Sequence, residues 1–167
     1  MDRVISLVEH FTYPLAAIAL VSLGVFGLVR ATRTSRGLSA GSAAAFAVWV
    51  LVVGYLTIGM RGNGAELNTK LFNFDGDPTQ PVLNILLFVP LGILIATWGW
   101  RLLPVFAVGF VASFAIETTQ FLMNDGRTAD INDVIMNTLG AVVGWLAVFA
   151  VSRIAIRHAR SSANLAA

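Results

Sequence analysis

The sequence predicts an all-α, polytopic membrane protein of five spans, with its N-terminus outside and its C-terminus cytoplasmic. Three observations carry that expectation: an apolar composition, five apolar runs of spanning length, and an uneven placement of the basic residues. Of 167 residues, 57% are apolar and 12% charged, and the mean hydropathy is +0.79. Soluble domains run near 45–50% apolar and about 25% charged. This chain has too little charge to keep its surface in water. Disorder is excluded for the same reason, because disordered segments are poor in apolar residues. There are 0 cysteines and a net charge of +2. That leaves no disulfide framework or thiolate metal site, and no basic field for nucleic acid.

Each span can be justified in turn. Crossing about 30 Å of hydrocarbon takes roughly 20 apolar residues in a helix. The first span, residues 13–29, starts at Tyr13-Pro14 and is closed by Arg30. Arg33 and Arg36 follow it, which reads as a stop-transfer flank and not as a cleaved leader. The second runs from Gly41 to Met60 and the third from Pro81 to Trp98. Pro90 lies inside the third, where a membrane helix tolerates a proline. The fourth runs from Leu103 to Met123, with Pro104 in its first turn, where a missing N–H costs nothing. The fifth runs from Ile131 to Ser152. Little remains for a soluble unit, so residues 1–167 are expected to form a single membrane domain. Trp49, Tyr55, Trp98 and Trp100 read as interface anchors.

Basic residues in short loops set the orientation. Arg30, Arg33, Arg36, Arg101, Arg153, Arg157 and Arg160 fall on one side. Arg3, Arg61, Lys70 and Arg127 fall on the other. The richer side is expected to be cytoplasmic.

Polar residues inside spans are costly, at about 2.5–3.5 kcal/mol for a central Asp, Lys or Arg, and here they converge. Ser113, Glu117, Gln120 and Asn124 share one stripe of the fourth span. Asp130, Asp133 and Asn137 share one stripe of the fifth, continued by Gly140 and Gly144. At 1.5 Å per residue, Glu117 and Asn137 both lie roughly 9 Å inside the outer boundary. The short connection makes their helices antiparallel neighbours, so the two side chains are expected to face each other. Asn84 enters from the third span. Arg61, Asn84, Glu117, Gln120, Arg127, Asp130, Asp133 and Asn137 are therefore expected to line one outward-facing polar cavity.

Plainer readings stand beside this one. Asp130 and Asp133 fit an N-cap and a first-turn carboxylate. Glu117 could pair with Arg127 and hold two helices together. Gly140 and Gly144 form a G-x-x-x-G, which is read as close helix packing. The 61–80 loop carries Phe72 and Phe74 in a polar run and is expected to fold back as a lid. Its Asp75-Gly76-Asp77 lacks the remaining ligands of a calcium loop. No metal site, cofactor fingerprint or nucleophile–base pair is read from the sequence.

Three segments carry a family resemblance. Asn84-x-x-x-Phe88-x-Pro90-Leu91-Gly92, then Ile116-Glu117-x-x-Gln120, then Arg127-x-x-Asp130-x-x-Asp133-x-x-x-Asn137-x-x-Gly140 resemble the VanZ-like family of bacterial membrane proteins. The resemblance covers a core of about residues 55–152 and leaves the first span outside. The LFNFDGDP stretch before the third span departs from the family pattern. The family takes its name from a protein conferring low-level teicoplanin resistance. The resemblance implies a multi-pass protein of the bacterial cytoplasmic membrane with a cell-envelope role, and points to the same polar residues.

The first functional reading is a non-enzymatic binding protein. Its outer cavity would take an amphiphilic, envelope-derived ligand, such as a lipid-linked precursor or a lipoglycopeptide of the teicoplanin kind. Another reading is a metal-assisted enzyme acting on a lipid-linked phosphate or sugar, with Glu117, Asp130, Asp133 and Asn137 as hard oxygen ligands. A small transporter using Glu117 is the third, and five spans without an internal repeat fit it least.

Overall fold

The computed structural model describes residues 2–32, 37–59, 67–69, 79–123 and 129–165. Five helices follow the five apolar runs. They are α1 (Asp2–Ala31), α2 (Ala40–Gly54), α3 (Thr79–Thr97), α4 (Leu102–Met123) and α5 (Ile131–Leu165). A π-helical turn, Tyr55–Gly59, extends α2. Two short strands, β1 (Leu67–Asn68) and β2 (Ala129–Asp130), pair in parallel. The stretches able to cross a membrane are Pro14–Ala31, Ala40–Ile58, Thr79–Thr97, Leu102–Met123 and Ile131–Ala159.

Helix ends follow local chemistry. Ser39 is extended and caps α2: its Oγ accepts the Ser42 N–H, and the Ser42 Oγ accepts the Ser39 N–H. This is a reciprocal capping box with serine at both positions. Gly99, at φ +88°, closes α3 in the left-handed conformation that glycine adopts without strain. Its N–H donates to the Ala96 carbonyl, and α4 starts three residues later. The first helix is longer than the first span: it runs through Pro14 from Asp2, while the stretch able to cross a membrane is Pro14–Ala31. Proline removes one N–H from a helix, and the rest of the ladder persists around it.

α3 is the central element, buried from Pro90 through Thr97. It packs most extensively against α5, with α1 on another flank. α3 and α5 run in the same direction, because Gly140 meets Ile85 and Gly144 meets Val89, one turn further along both helices. Their backbones touch. A methyl group on Gly140 would overlap the Ile85 carbonyl, and one on Gly144 would overlap the Val89 carbonyl. A methyl on Gly92 would strike the Ala141 backbone from the other side. The G-x-x-x-G is therefore a packing motif, as its sequence suggested, and Gly92 is its partner across the seam.

Trp49 departs from the anchor reading. It is buried in the core at 4% exposure, edge-on to Phe88 with ring centroids 5.3 Å apart. Its indole N–H donates to the Leu87 carbonyl at 2.9 Å. Trp49 lies mid-helix and not at a boundary, and a buried indole needs an acceptor. Trp100 does keep an exposed position, and its carbonyl accepts the Trp145 indole N–H at 3.0 Å.

Candidate functional site

The polar residues gather at the end of the bundle where α4 finishes and α5 starts. Glu117 and Gln120 sit on α4, 7% and 6% exposed. The Glu117 Oε2 accepts the Asp130 N–H at 2.8 Å. That N–H belongs to the residue that opens α5, where backbone donors are unmet and the helix dipole favours an anion. One turn deeper, the Asn137 Nδ2 donates to the Ser113 Oγ at 2.9 Å. The α4–α5 seam is thus a two-rung ladder, Glu117 to Asp130 and Ser113 to Asn137.

Glu117 and Asn137, expected to face each other, bond to different partners along this seam. Equal distances from the helix ends do not fix which side chains meet. The carboxylate of Glu117 goes to the free N–H at the start of α5, and Asn137 finds the next polar group along the α4 stripe.

Asp130 is an N-cap. Its Oδ1 accepts both the Asn132 N–H and the Asn132 Nδ2, each at 2.8 Å, the geometry of a cap. Asp133 lies one turn on, beside Asp130 and facing the Asn84 side chain from α3. The Asn84 Nδ2 is buried and has no acceptor at normal hydrogen-bonding distance. The Asn137 Oδ1 is likewise buried without a partner, on a residue 3% exposed. A donor on α3 and an acceptor on α5 thus remain unmet. Burying such groups is costly unless something completes their bonds.

The π turn of α2 joins from the side. Gln120 donates through Nε2 to the Thr57 carbonyl at 2.5 Å. A helix end leaves carbonyls unused, and the π turn presents this one to α4. Tyr55 in the same turn is exposed, 48%, and points away from the cluster. The β1–β2 pairing sets Leu67 against Ala129 and Asn68 against Asp130. Part of the 61–80 loop is therefore tied to the start of α5.

Of the eight residues expected in the site, the structure brings together Asn84, Glu117, Gln120, Asp130, Asp133 and Asn137. Arg61 and Arg127 lie outside the described residues, as do Asn124, Phe72 and Phe74. Three participants were not chosen from the sequence. Ser113 lies on the polar stripe of the fourth span and is not among the eight expected site residues. Asn132, 1% exposed, breaks the 130–133–137 spacing but lies between two aspartates, which was a usable signal. Thr57 contributes only its backbone, which no side-chain pattern encodes. Among the described residues, no three His, Cys, Asp or Glu side chains come together to hold a metal ion.

A five-helix membrane bundle with a buried polar cluster at one end defines the class. Within it, the family described as VanZ/LLP1 matches residues 15–153, and the chain belongs to that family. The match takes in the first span as well as the polar segments. The chain is also 36% identical, over 81 residues, to Protein VanZ of Enterococcus faecium. That alignment covers 47% of this chain and 50% of the relative, so the chain spans about half the length of the curated relative it matches. No solved structure matches the chain.

Proposed function

We propose that the chain is a binding protein of the bacterial cytoplasmic membrane, with its N-terminus outside and its polar cluster facing outward. The cluster takes the polar head of an amphiphilic envelope-derived or lipoglycopeptide ligand. One observation carries this reading: Asn84 and Asn137 each keep a buried hydrogen-bonding atom without a partner, beside the Asp133 carboxylate. A group that both accepts and donates, such as a sugar hydroxyl or a peptide amide, satisfies both. Asp133 supports it further as a charged acceptor, whose hydrogen bonds are the stronger kind. Arg61 and Arg127 add cationic groups near the same end by chain position. Membership of the VanZ/LLP1 family supports a role in the cell envelope, with tolerance to teicoplanin as its phenotype.

Purified protein in lipid nanodiscs should bind teicoplanin. Asn137→Leu and Asp133→Asn should each weaken that binding at least about ten-fold, equivalent to roughly 1.4 kcal/mol, while both variants accumulate in the membrane. Absence of teicoplanin binding, or unchanged binding in both variants, refutes the reading. Orientation is tested separately with Ser35→Cys and Gly64→Cys in intact cells. An impermeant thiol reagent should label Gly64→Cys and leave Ser35→Cys untouched.

A further inference from the structure

The opposite end of the bundle carries charge of one sign. Among the described residues, Glu117, Asp130 and Asp133 belong to the end with the polar cluster. The other end is formed where α1, α3 and α5 finish and α2 and α4 begin. Among the described residues it holds Arg30, Arg101, Arg153 and Arg157, and no acidic residue.

These cations are not equally available. Arg30 is used internally, since its guanidinium donates to the Ser39 Oγ at 2.5 Å and to the Gly37 carbonyl. Arg153 lies over the Phe149 ring, 4.9 Å from its centroid. Arg157 is exposed and forms no ion pair among the described residues. With Ile154, His158 and Ser161 it lines a groove of about 380 Å³. The spacing of these four residues puts them on one face of α5.

Depth identifies the occupant. Arg157 follows Ile131 by 26 residues, or about 39 Å at 1.5 Å per residue. With Ile131 at one edge of a hydrocarbon slab of about 30 Å, Arg157 lies roughly 9 Å beyond the other edge. A tilt of about 20° brings it closer still. That is headgroup depth. Ile154 lies nearly a turn nearer the hydrocarbon, and Ser161 a turn further into water. The groove therefore runs from apolar to cationic to hydroxylic along the membrane normal, which is the order of acyl boundary, phosphate and polar head in a glycerophospholipid.

We propose that this groove binds an anionic phospholipid, with Arg157 on the phosphate and Ile154 at the glycerol level, next to the acyl boundary. A zwitterionic lipid would offer the phosphate with its own cation attached. An end where the described residues include arginines and no Asp or Glu favours a headgroup with net negative charge. The site is separate from the polar cluster and does not depend on what that cluster binds.

Native mass spectrometry of the full chain tests this, with phosphatidylglycerol and phosphatidylcholine of identical acyl chains as competing probes. Phosphatidylglycerol should be retained several-fold over phosphatidylcholine. Arg157→Gln should lower its retention about five-fold, the effect expected for one basic residue at an anionic surface. Arg157→Lys should keep most of it. Arg157 is exposed, so neither change disturbs the fold, and an unchanged melting curve verifies that. Glycerol phosphate at millimolar concentration should not displace the lipid. Equal retention of the two lipids, or no effect of Arg157→Gln, overturns the proposal. Displacement by glycerol phosphate also overturns it, by assigning the groove to a soluble phosphate.

Discussion

α5 meets α3 and α4 through two seams of different chemistry. Toward α3 it presents Gly140, Ala141 and Gly144, and the backbones come into contact over Ile85, Val89 and Gly92. Toward α4, near the cluster end, it presents the Asp130 N–H and Asn137, and the contacts are hydrogen bonds to Glu117 and Ser113. Lipid tails are as apolar as leucine, so helix association in a bilayer draws on close packing or on polar pairing. The first seam leaves no room for an added atom. The second accepts changes of size provided each polar group keeps a partner. At its deep end the Asn137 Oδ1 is buried without a partner.

Substitutions at the two seams sharpen that contrast. The largest effect is expected from Gly140→Leu, which drives a side chain into the Ile85 backbone. Overpacking typically costs 1–3 kcal/mol, and a backbone obstacle places this change at about 3 kcal/mol or more. The protein should fail to accumulate as a monodisperse species on size-exclusion chromatography. Wild-type yield and melting would contradict the close α3–α5 approach. Glu117→Ala should rank next. It removes the acceptor of the Asp130 N–H, and an unmet buried donor costs about 1–3 kcal/mol. The melting temperature in detergent should fall clearly, with Glu117→Gln falling less because an amide oxygen still accepts.

Asn137→Leu should be milder for stability and is the sharper probe of the comparison. It loses a side-chain bond of the kind that averages about 0.6 kcal/mol in membrane bundles, and it also removes an unpartnered buried oxygen. Stability should change by less than about 1 kcal/mol, whereas ligand binding falls. A large drop in melting temperature would make Asn137 a structural residue. The smallest effect belongs to Asp130→Asn, since Asn caps a helix about as well as Asp. Its melting curve should overlay that of the wild type, and a marked loss would show that the charge, not the cap, matters there.

How much of this was legible in the sequence depends on the physical variable involved. The bilayer reads composition over some twenty residues, so the five helices could be placed from hydropathy within a few residues at most ends. The 3.6-residue period fixes which side chains share a face, so Ser113, Glu117 and Gln120 were on one stripe before any coordinates, as were Asp130, Asp133 and Asn137. The spacing of Gly140 and Gly144 announced a close approach. What the sequence left open was how the helices are rotated and shifted against one another. In a chain apolar all round its helices, lipid-facing and core-facing residues look alike, so hydropathy does not say that Trp49 is buried while Tyr55 is exposed. Axial offset decided that Asn137 meets Ser113 and that Glu117 meets the Asp130 N–H. The carbonyl of Thr57, the partner of Gln120, and the parallel pairing of Leu67–Asn68 with Ala129–Asp130 are backbone events, invisible to a pattern of side chains. Sequence determined which residues are polar within the membrane and on which faces. Only the tertiary structure decided which of them satisfy one another, because that depends on inter-helix geometry set by the glycine seam between α3 and α5.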